Sequence, residues 1–237
     1  MPSQLHQLPL NVGLKRRTTL EDFVAGQNAS AFNALTNLLQ GSDESLMFFW
    51  GRPGSGKSHL LLGACDQLTR ARKIPAYLSL RQVQRLDTAM LEQLEQLDLV
   101  CLDDVDGVAG LPPWEEALFD LFNRLRASAT PLLVAASLPP SELPLLLPDL
   151  QSRLAWGATF HLLPLSDDQR REVVIGGALR LGMKLTPQAA DYLLRHYSRD
   201  LSQLFSFLDR LDIATLAAQR RPTIPFLQKL IRQGPAD

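Results

Sequence analysis

Short continuous apolar runs alternate with segments whose apolar residues recur at helical spacing, up to about residue 165. Runs of this length, ended by glycine, proline or acidic residues, are too short for helices and predict buried strands. The predicted strands are Leu46–Trp50, Pro75–Leu80, Leu97–Leu102, Pro131–Ala136 and Thr159–Leu163. The predicted helices of the same region are Ala29–Gln40, Lys57–Arg72 and Pro112–Ser128. Strands that alternate with helices predict an α/β fold with a parallel sheet covered on both faces.

The strand pattern stops at Ser166, and only helical periodicity follows. We therefore predict three parts: a flexible tail over residues 1–17, an α/β domain over 18–165 and a small all-helical domain over 166–237. The helices predicted for the last part are Asp167–Leu181, Pro187–Tyr197, Asp200–Gln219 and Ile224–Ile231.

Composition narrows the class of protein. Of the 237 residues, 46% are hydrophobic and 21% charged, which is the balance of a soluble globular protein with a substantial core. The two cysteines lie inside apolar runs and cannot build a disulfide framework, so we expect a reducing, cytoplasmic location. No apolar run approaches the roughly 18 residues of a membrane span, and the amino terminus lacks the features of a signal peptide. The net charge of −1 argues against an autonomous binder of duplex DNA, which usually carries a strong basic excess.

Residues 51–58 read GRPGSGKS and match the phosphate-loop pattern G-x-x-x-x-G-K-[ST] at every position. The loop follows a predicted strand and opens a predicted helix, so its N–H groups and the positive end of the helix dipole would meet phosphate oxygens. Lys57 can reach the β- and γ-phosphates, and the Ser58 hydroxyl can bind Mg²⁺. The candidate nucleotide contacts are Gly51, Arg52, Pro53, Gly54, Ser55, Gly56, Lys57, Ser58 and, directly after the loop, His59.

Polar residues follow two further predicted strands. Asp103 and Asp104 end the third strand, where Asp103 would orient Mg²⁺ through water and Asp104 would polarise an attacking water. Without the phosphate loop upstream, such a pair would more simply indicate a turn or a helix cap. Ser137 ends the fourth strand and is placed to contact the γ-phosphate or the water from there. Asp104 and Ser137 are therefore candidate catalytic residues, and Ser58 with Asp103 the candidate metal ligands.

A phosphate loop, an acidic strand end, a polar fourth-strand end and a helical lid together resemble the AAA+ family of nucleotide-dependent switches. Leu150–Gly157 is similar to the arginine-finger segment of its DnaA/Hda subfamily, and Thr18–Gly26 to the segment that leads into the base pocket. The resemblance implies an AAA+ P-loop NTPase core with a five-stranded parallel sheet and a small all-helical lid, binding ADP or ATP with Mg²⁺. It also implies that Phe23 and Val24 contact the base. Arg153 would be a catalytic finger that reaches across a subunit boundary to a neighbour's nucleotide.

The extent of the chain favours one branch of this subfamily. DnaA initiators carry a separate domain before the AAA+ module and a helix-turn-helix domain after it, whereas this chain has a short tail and ends at Asp237. It resembles the Hda branch, whose pattern is matched by Asp103–Asn123, Pro148–Gly157 and Leu201–Phe226. That branch implies a negative regulator of replication initiation, which docks on the DNA-loaded β sliding clamp of DNA polymerase III and promotes hydrolysis of DnaA-bound ATP. DNA would be reached only through the clamp, and the chain would be an activator rather than a robust ATPase.

The resemblance also implies a clamp-binding peptide in the tail. Residues 4–10 read QLHQLPL, and the candidate contacts are Gln4, Leu5, Gln7, Leu8, Pro9 and Leu10. An extended peptide suits this role because glutamine can fix one end by hydrogen bonds while leucines enter an apolar pocket. Two registers stay open: Gln4 anchors the peptide with one residue bulged out, or Gln7 anchors a shorter motif.

The lid departs from the usual AAA+ pattern, in which an arginine of the third lid helix meets the nucleotide. Ser202 stands at that position, and Arg199 could replace the arginine only if the helix enters differently. The main alternative function is an autonomous AAA+ ATPase of the helicase-loader type; a small-molecule P-loop kinase and an adaptor with vestigial hydrolytic machinery are the others. The sequence leaves open which nucleotide is resident, whether the chain hydrolyses it, and whether it forms a homo-oligomer.

Overall fold

The computed structural model describes residues 18–42, 44–198 and 201–233. The chain divides into two compact units between Leu163 and Pro164. The first unit is built on a parallel sheet and the second of helices, which confirms the predicted α/β core followed by a small all-helical domain.

The sheet of the first unit has five strands: β1 Leu46–Trp50, β2 Pro75–Ser79, β3 Leu99–Asp103, β4 Leu132–Ala136 and β5 Ala158–His161. All pair in parallel, in the order β2-β3-β4-β1-β5. β3 begins later than predicted because Leu97 still closes a 3₁₀ turn, its N–H donating to the carbonyl of Leu94 at 3.2 Å. In a parallel sheet all carboxyl ends lie at one edge, so the phosphate loop, the two aspartates and Ser137 share that edge.

The helices of the first unit are α1 Ala29–Leu39, α2 Lys57–Arg70, α3 Pro112–Ser128 and α4 Pro148–Leu154. Helix α4 was not predicted, because its seven residues are too few to show a helical period and follow a run of leucines and prolines. Pro148 occupies its first turn, where the missing N–H costs no hydrogen bond. Short 3₁₀ segments complete the unit: Leu20–Asp22, Gly26–Asn28, Val83–Arg85, Thr88–Leu91, Leu94–Gln96, Val105–Val108 and Pro140–Glu142.

Two apolar layers cover the sheet. Successive side chains of a strand point to opposite faces, so Phe48 packs in the layer that contains α3 and α4, while Phe49 packs in the layer that contains α1 and α2. Both rings are fully buried. This two-sided burial explains why the strands read as continuous apolar runs rather than as alternating ones.

The second unit consists of α5 Asp167–Arg180, α6 Pro187–His196, α7 Leu201–Ala218 and α8 Ile224–Arg232. Ser166 caps α5: its hydroxyl accepts from the Gln169 N–H at 3.2 Å, and the Gln169 side chain accepts from the Ser166 N–H at 2.9 Å. The core of the unit is made by fully buried side chains that include Leu193, Phe207, Leu208, Leu211 and Leu227. Among the helices of the described residues, none has the length and apolarity needed to cross a membrane.

Candidate functional site

The phosphate loop joins β1 to α2 and depends on its glycines. Gly51 has a φ of +151°, and a Cβ there would overlap the carbonyl oxygen of Leu162. Gly56 has a φ of +100°, and its Cβ would lie 2.8 Å from the Phe23 ring. Both positions combine a backbone conformation that disfavours side chains with a close neighbour. The loop can therefore close tightly around a ligand only with glycine at these two positions.

Lys57 is buried beneath this loop. Its Nζ donates to the carbonyl of Gly51 at 2.6 Å and to that of Arg52 at 3.3 Å, which leaves one of its three donors for a ligand. Burial lowers the pKa of Lys57, and the negative charges of Asp103 and Asp104 oppose that shift. The ammonium thus stands within electrostatic reach of the acidic end of β3.

One buried hydroxyl of the loop, that of Ser55, is left without a hydrogen bond in the part of the chain that the structure describes. Ser55 Oγ is inaccessible to solvent and has no hydrogen-bond partner among the described residues. Leaving such a group unsatisfied costs about 1–3 kcal/mol. A phosphate oxygen in the loop would satisfy it, so the residues present fit a nucleotide phosphate.

Asp103 ends β3 and is almost fully buried. One carboxylate oxygen accepts from the Tyr77 hydroxyl at 2.7 Å, and the other accepts from the Asp104 N–H at 3.0 Å. Burial, followed by the charge of Asp103, raises the pKa of Tyr77, while Ser58 acts in the opposite direction. The Tyr77 hydroxyl therefore lies near both candidate Mg²⁺ ligands, Ser58 and Asp103.

These residues fit a magnesium ion held jointly with phosphates. Hydroxyl and carboxylate oxygens are the ligands Mg²⁺ prefers, and it commonly binds one or two carboxylates together with substrate phosphates. Asp103 keeps free lone pairs after its two hydrogen bonds. Within the described ranges, no cluster of three or more His, Cys, Asp or Glu side chains offers an alternative metal site.

Asp104 is held differently from its neighbour. Its backbone has a φ of +56°, and one carboxylate oxygen lies 3.4 Å from both Ser79 Oγ and Arg81 Nε. Burial, with Asp103 as the next cause, raises the pKa of Asp104. A raised pKa suits a proton acceptor. However, the ion pair with Arg81 engages the carboxylate oxygen that would accept the proton.

Ser137 is paired with a carboxylate that sequence reasoning missed. The backbone N–H and the hydroxyl of Ser137 both donate to Asp106, each at 3.0 Å. Its hydroxyl proton is thus engaged, and its oxygen remains free to accept a hydrogen bond. The only signal in the sequence was the third acidic residue of the DDVD run.

The segment before α1 packs on the loop. The Phe23 ring is stacked on Phe32 with centroids 5.6 Å apart, and it is tilted against His59 at 5.6 Å. The Nε2 atom of His59 lies 2.8 Å from the Thr19 carbonyl oxygen. The structure thus brings Phe23 and His59 together beside Gly56, while Val24 is half-buried in the same segment.

The guanidinium of Arg153, near the end of α4, contacts only aromatic rings among the described residues. Its guanidinium carbon lies 4.0 Å from the Trp156 ring centre and 5.8 Å from that of Phe119. Arg126 of α3 approaches the same indole at 4.5 Å. No carboxylate in the described part of the chain lies within ion-pair distance of either arginine. Sequence reasoning missed Trp156, whose signal was an aromatic residue one helical turn after Arg153.

The Trp156 indole lies at the amino ends of the strands, whereas the phosphate loop lies at their carboxyl ends. Trp156 and Arg126 line a cavity of about 360 Å³ together with Leu46 and Leu132, the first residues of β1 and β4. The phosphate loop, in contrast, follows the last residue of β1. Because Arg153 contacts Trp156, it lies toward the amino ends of the strands and away from the phosphate loop of this chain.

Two sets of predicted residues lie outside the described residues. They are the tail residues Gln4, Leu5, Gln7, Leu8, Pro9 and Leu10, and the lid residue Arg199.

Comparisons with known proteins agree with this geometry. Residues 14–161 match the family described as the bacterial DnaA ATPase domain, and residues 167–231 match the one described as the Hda lid domain. A Haemophilus influenzae protein described as uncharacterized is 41% identical over 226 residues, which are 95% of this chain and 98% of that protein.

Solved structures of DnaA share the fold. Domain III of the Thermotoga maritima replication initiation protein DnaA has a TM-score of 0.79 at 19% identity, covering 94% of this chain and 99% of that one. AMPPCP-bound DnaA from Aquifex aeolicus has a TM-score of 0.70 at 21% identity, covering 93% of this chain and 70% of that one. The chain belongs to the family of the bacterial DnaA ATPase domain and, with its Hda-type lid, is an Hda-like, DnaA-homologous AAA+ protein.

Proposed function

We propose that the chain is a negative regulator of replication initiation, which promotes hydrolysis of ATP bound to the DnaA initiator and so converts the initiator to its ADP form. The observation that carries the proposal is the position of Arg153, which is grouped with the amino ends of the strands and has only aromatic contacts among the described residues. A cation so placed serves a nucleotide other than the one in its own loop. The match of residues 14–161 to the DnaA ATPase family supports a DnaA-type neighbour.

In this reaction Arg153 would stabilise the negative charge that develops on the phosphoryl group in the transition state. When water attacks the γ-phosphorus, the bond to the β-phosphate oxygen breaks and negative charge spreads over the transferred group. A guanidinium is always charged at neutral pH, and its planar fork of N–H donors matches phosphate oxygens. An arginine supplied in trans raises the rate of such reactions about 10³- to 10⁵-fold. Arg153 is the catalytic residue of this step because it would touch the reacting phosphoryl group.

The chain's own site would hold ADP or ATP as a structural ligand. Lys57, Ser55 and the N–H groups of the loop would bind the phosphates, and Phe23 and Val24 would meet the base. Ser58 and Asp103 would hold Mg²⁺, which supplies neutralisation of the phosphate charge when bound. The bound nucleotide would stabilise the fold and thereby the position of α4.

Hydrolysis at this site would be slow. Asp104 would polarise the water, with Ser137 accepting a hydrogen bond beside it. Asp104 is one methylene shorter than the glutamate that most AAA+ ATPases use, and Arg81 and Ser79 share its carboxylate. We therefore propose that the chain acts chiefly as an activator in trans.

The tail would dock on the DNA-loaded β sliding clamp of polymerase III, in the cytoplasm, so that DNA is reached only through the clamp. The two registers of the peptide are separable by Gln4→Ala and Gln7→Ala in a clamp-binding assay. Only the variant that removes the anchoring glutamine should weaken binding.

The experiment that tests this function follows hydrolysis of radiolabelled ATP already bound to DnaA. This protein, the loaded clamp and DNA are supplied together and then omitted one at a time. Stimulation that requires both the protein and the loaded clamp is the expected result. Absence of stimulation, together with steady ATP turnover by this chain alone, would instead indicate an autonomous ATPase of the helicase-loader type.

A further inference from the structure

We infer that Trp156 is a positioning residue for Arg153: its indole holds the guanidinium by one flat face and leaves the N–H edge free for the partner's phosphate. This inference rests on the proposed function, since it names the residue that prepares the finger. The guanidinium carbon of Arg153 lies 4.0 Å from the centre of the Trp156 ring. That is well inside the roughly 6 Å within which a cation is attracted to an aromatic face.

The kind of partner matters for the role. A carboxylate would bind the N–H fork of Arg153 and occupy the donors that a phosphate needs. An aromatic ring attracts the cation through the guanidinium plane and leaves those donors available. In the described residues Arg153 contacts rings and no carboxylate, which is the arrangement that suits an arginine awaiting an anion.

Trp156 is held at both its backbone and its ring. Its backbone N–H donates to the carbonyl of Arg153 at 3.1 Å, and its ring meets Phe122 edge-on with centroids 6.2 Å apart. The next residue, Gly157, lies so close to Leu46 that a Cβ there would overlap the Leu46 carbonyl oxygen. These contacts hold the ring in place relative to α4 and β1.

The exposure of Trp156 also calls for a reason. The side chain is 54% exposed although its neighbours Leu154 and Phe122 are buried. A large apolar ring left in solvent contributes less to folding than a buried one. At the surface the exposed ring instead binds two guanidinium groups, those of Arg153 and Arg126.

The first test measures the maximal rate of DnaA-bound ATP hydrolysis on the loaded clamp. Trp156→Leu keeps an apolar side chain but removes the aromatic face, and Trp156→Phe keeps a face. We expect Trp156→Leu to lower the maximal rate about 3- to 5-fold, the size of a surface cation–π contact, with the half-saturating concentration unchanged. Trp156→Phe should retain most of the rate. In an Arg153→Ala background, Trp156→Leu should have no further effect.

The matched control is Arg126→Ala, which removes the other guanidinium from the same indole. Its maximal rate should stay at the wild-type level, because the indole that positions Arg153 is still present. Three results would overturn the inference. Trp156→Leu could keep the wild-type rate, or it could lower the rate just as much in the Arg153→Ala background. Arg126→Ala could also lower the rate as much as Trp156→Leu does.

A second readout does not depend on DnaA. The Arg153 Nε–H resonance, assigned by its disappearance in Arg153→Lys, should show a ring-current shift in the free protein. The shift should be lost in Trp156→Leu and kept in Trp156→Phe; an unchanged resonance in Trp156→Leu overturns the inference. If the wild-type protein fails to stimulate DnaA, the proposed function fails, and this spectrum still decides whether the indole holds Arg153.

Discussion

Glu115 of α3 accepts a hydrogen bond from the backbone N–H of Leu147 at 2.7 Å, across 32 positions of the chain. Its other carboxylate oxygen accepts from the Gly110 N–H at 2.8 Å, and the side chain is almost fully buried. Leu147 immediately precedes α4. Glu115 therefore fixes the start of the helix that carries Arg153.

Glu115→Ala should destabilise the first unit. The change leaves two backbone N–H groups without their acceptor, and each unsatisfied donor costs about 1–3 kcal/mol of the free energy of unfolding. Urea unfolding followed by circular dichroism measures the loss. Glu116→Ala, one residue along the same helix but exposed, is the matched control and should stay near wild type. Equal stabilities for the two variants would contradict this role of Glu115.

The sequence was enough to name candidate site residues but not the contacts around them. The phosphate loop and Asp103 were recognisable because they combine a motif with a strand end. The Tyr77–Asp103 hydrogen bond was not, since it depends on β2 lying next to β3, which apolar patterning does not reveal. Glu115 was not singled out either, because its hydrogen bonds to Gly110 and Leu147 depend on loop positions that a helical pattern does not reveal.

The helix α4 shows a different limit. Its seven residues, Pro148–Leu154, carry too few apolar positions to establish a period. What defines it is nonlocal, namely the Glu115 acceptor at its start and the packing of Leu150 and Leu154 in the core. Arg153 was therefore predicted to be a finger by resemblance alone, whereas its contact with Trp156 is seen only in the structure.

Tyr77→Phe should weaken magnesium binding. The change removes the hydroxyl that donates to Asp103, and loss of such a supporting hydrogen bond commonly lowers metal affinity about 10- to 100-fold. The measurement is the affinity for a fluorescent ADP analogue as Mg²⁺ is titrated. Tyr192→Phe, whose ring stacks on His196 in the second unit, is the control. An unchanged Mg²⁺ midpoint in Tyr77→Phe would show that Asp103 needs no orientation by the hydroxyl.

Adjacent glycines of α5 should respond oppositely to alanine. At Gly176 the nearest atom to a new Cβ is Arg180 Nη1 at 3.7 Å, so Gly176→Ala should raise the free energy of unfolding by about 0.5–1 kcal/mol through helix propensity. At Gly177 a Cβ would lie 2.8 Å from the Phe205 ring, so Gly177→Ala should lower it by about 1–3 kcal/mol through overpacking. Denaturant unfolding distinguishes them, and effects of the same sign would refute the packing argument.

Lys57→Ala should abolish stabilisation by nucleotide without unfolding the protein. Burial lowers the pKa of Lys57, so the cost of burying its charge offsets part of what its hydrogen bonds to Gly51 and Arg52 contribute, and the ligand-free variant should stay folded. ADP at a hundredfold excess over its Kd should stabilise the wild type by about 2.7 kcal/mol, and Lys57→Ala should lose that gain. Thermal unfolding with and without ADP measures it. The exposed Lys73→Ala should keep the full shift; a full shift in Lys57→Ala would place the nucleotide elsewhere.

The most direct test of the proposed function is single-turnover hydrolysis of DnaA-bound ATP on the loaded clamp, with wild type, Arg153→Ala and the exposed control Arg85→Ala. We expect wild type and Arg85→Ala to accelerate hydrolysis equally. The acceleration by Arg153→Ala should be at least about 10³-fold smaller than that by the wild type, since the variant lacks the guanidinium that meets the developing charge. Full acceleration by a folded, nucleotide-binding Arg153→Ala protein would contradict the assignment of Arg153 as the finger.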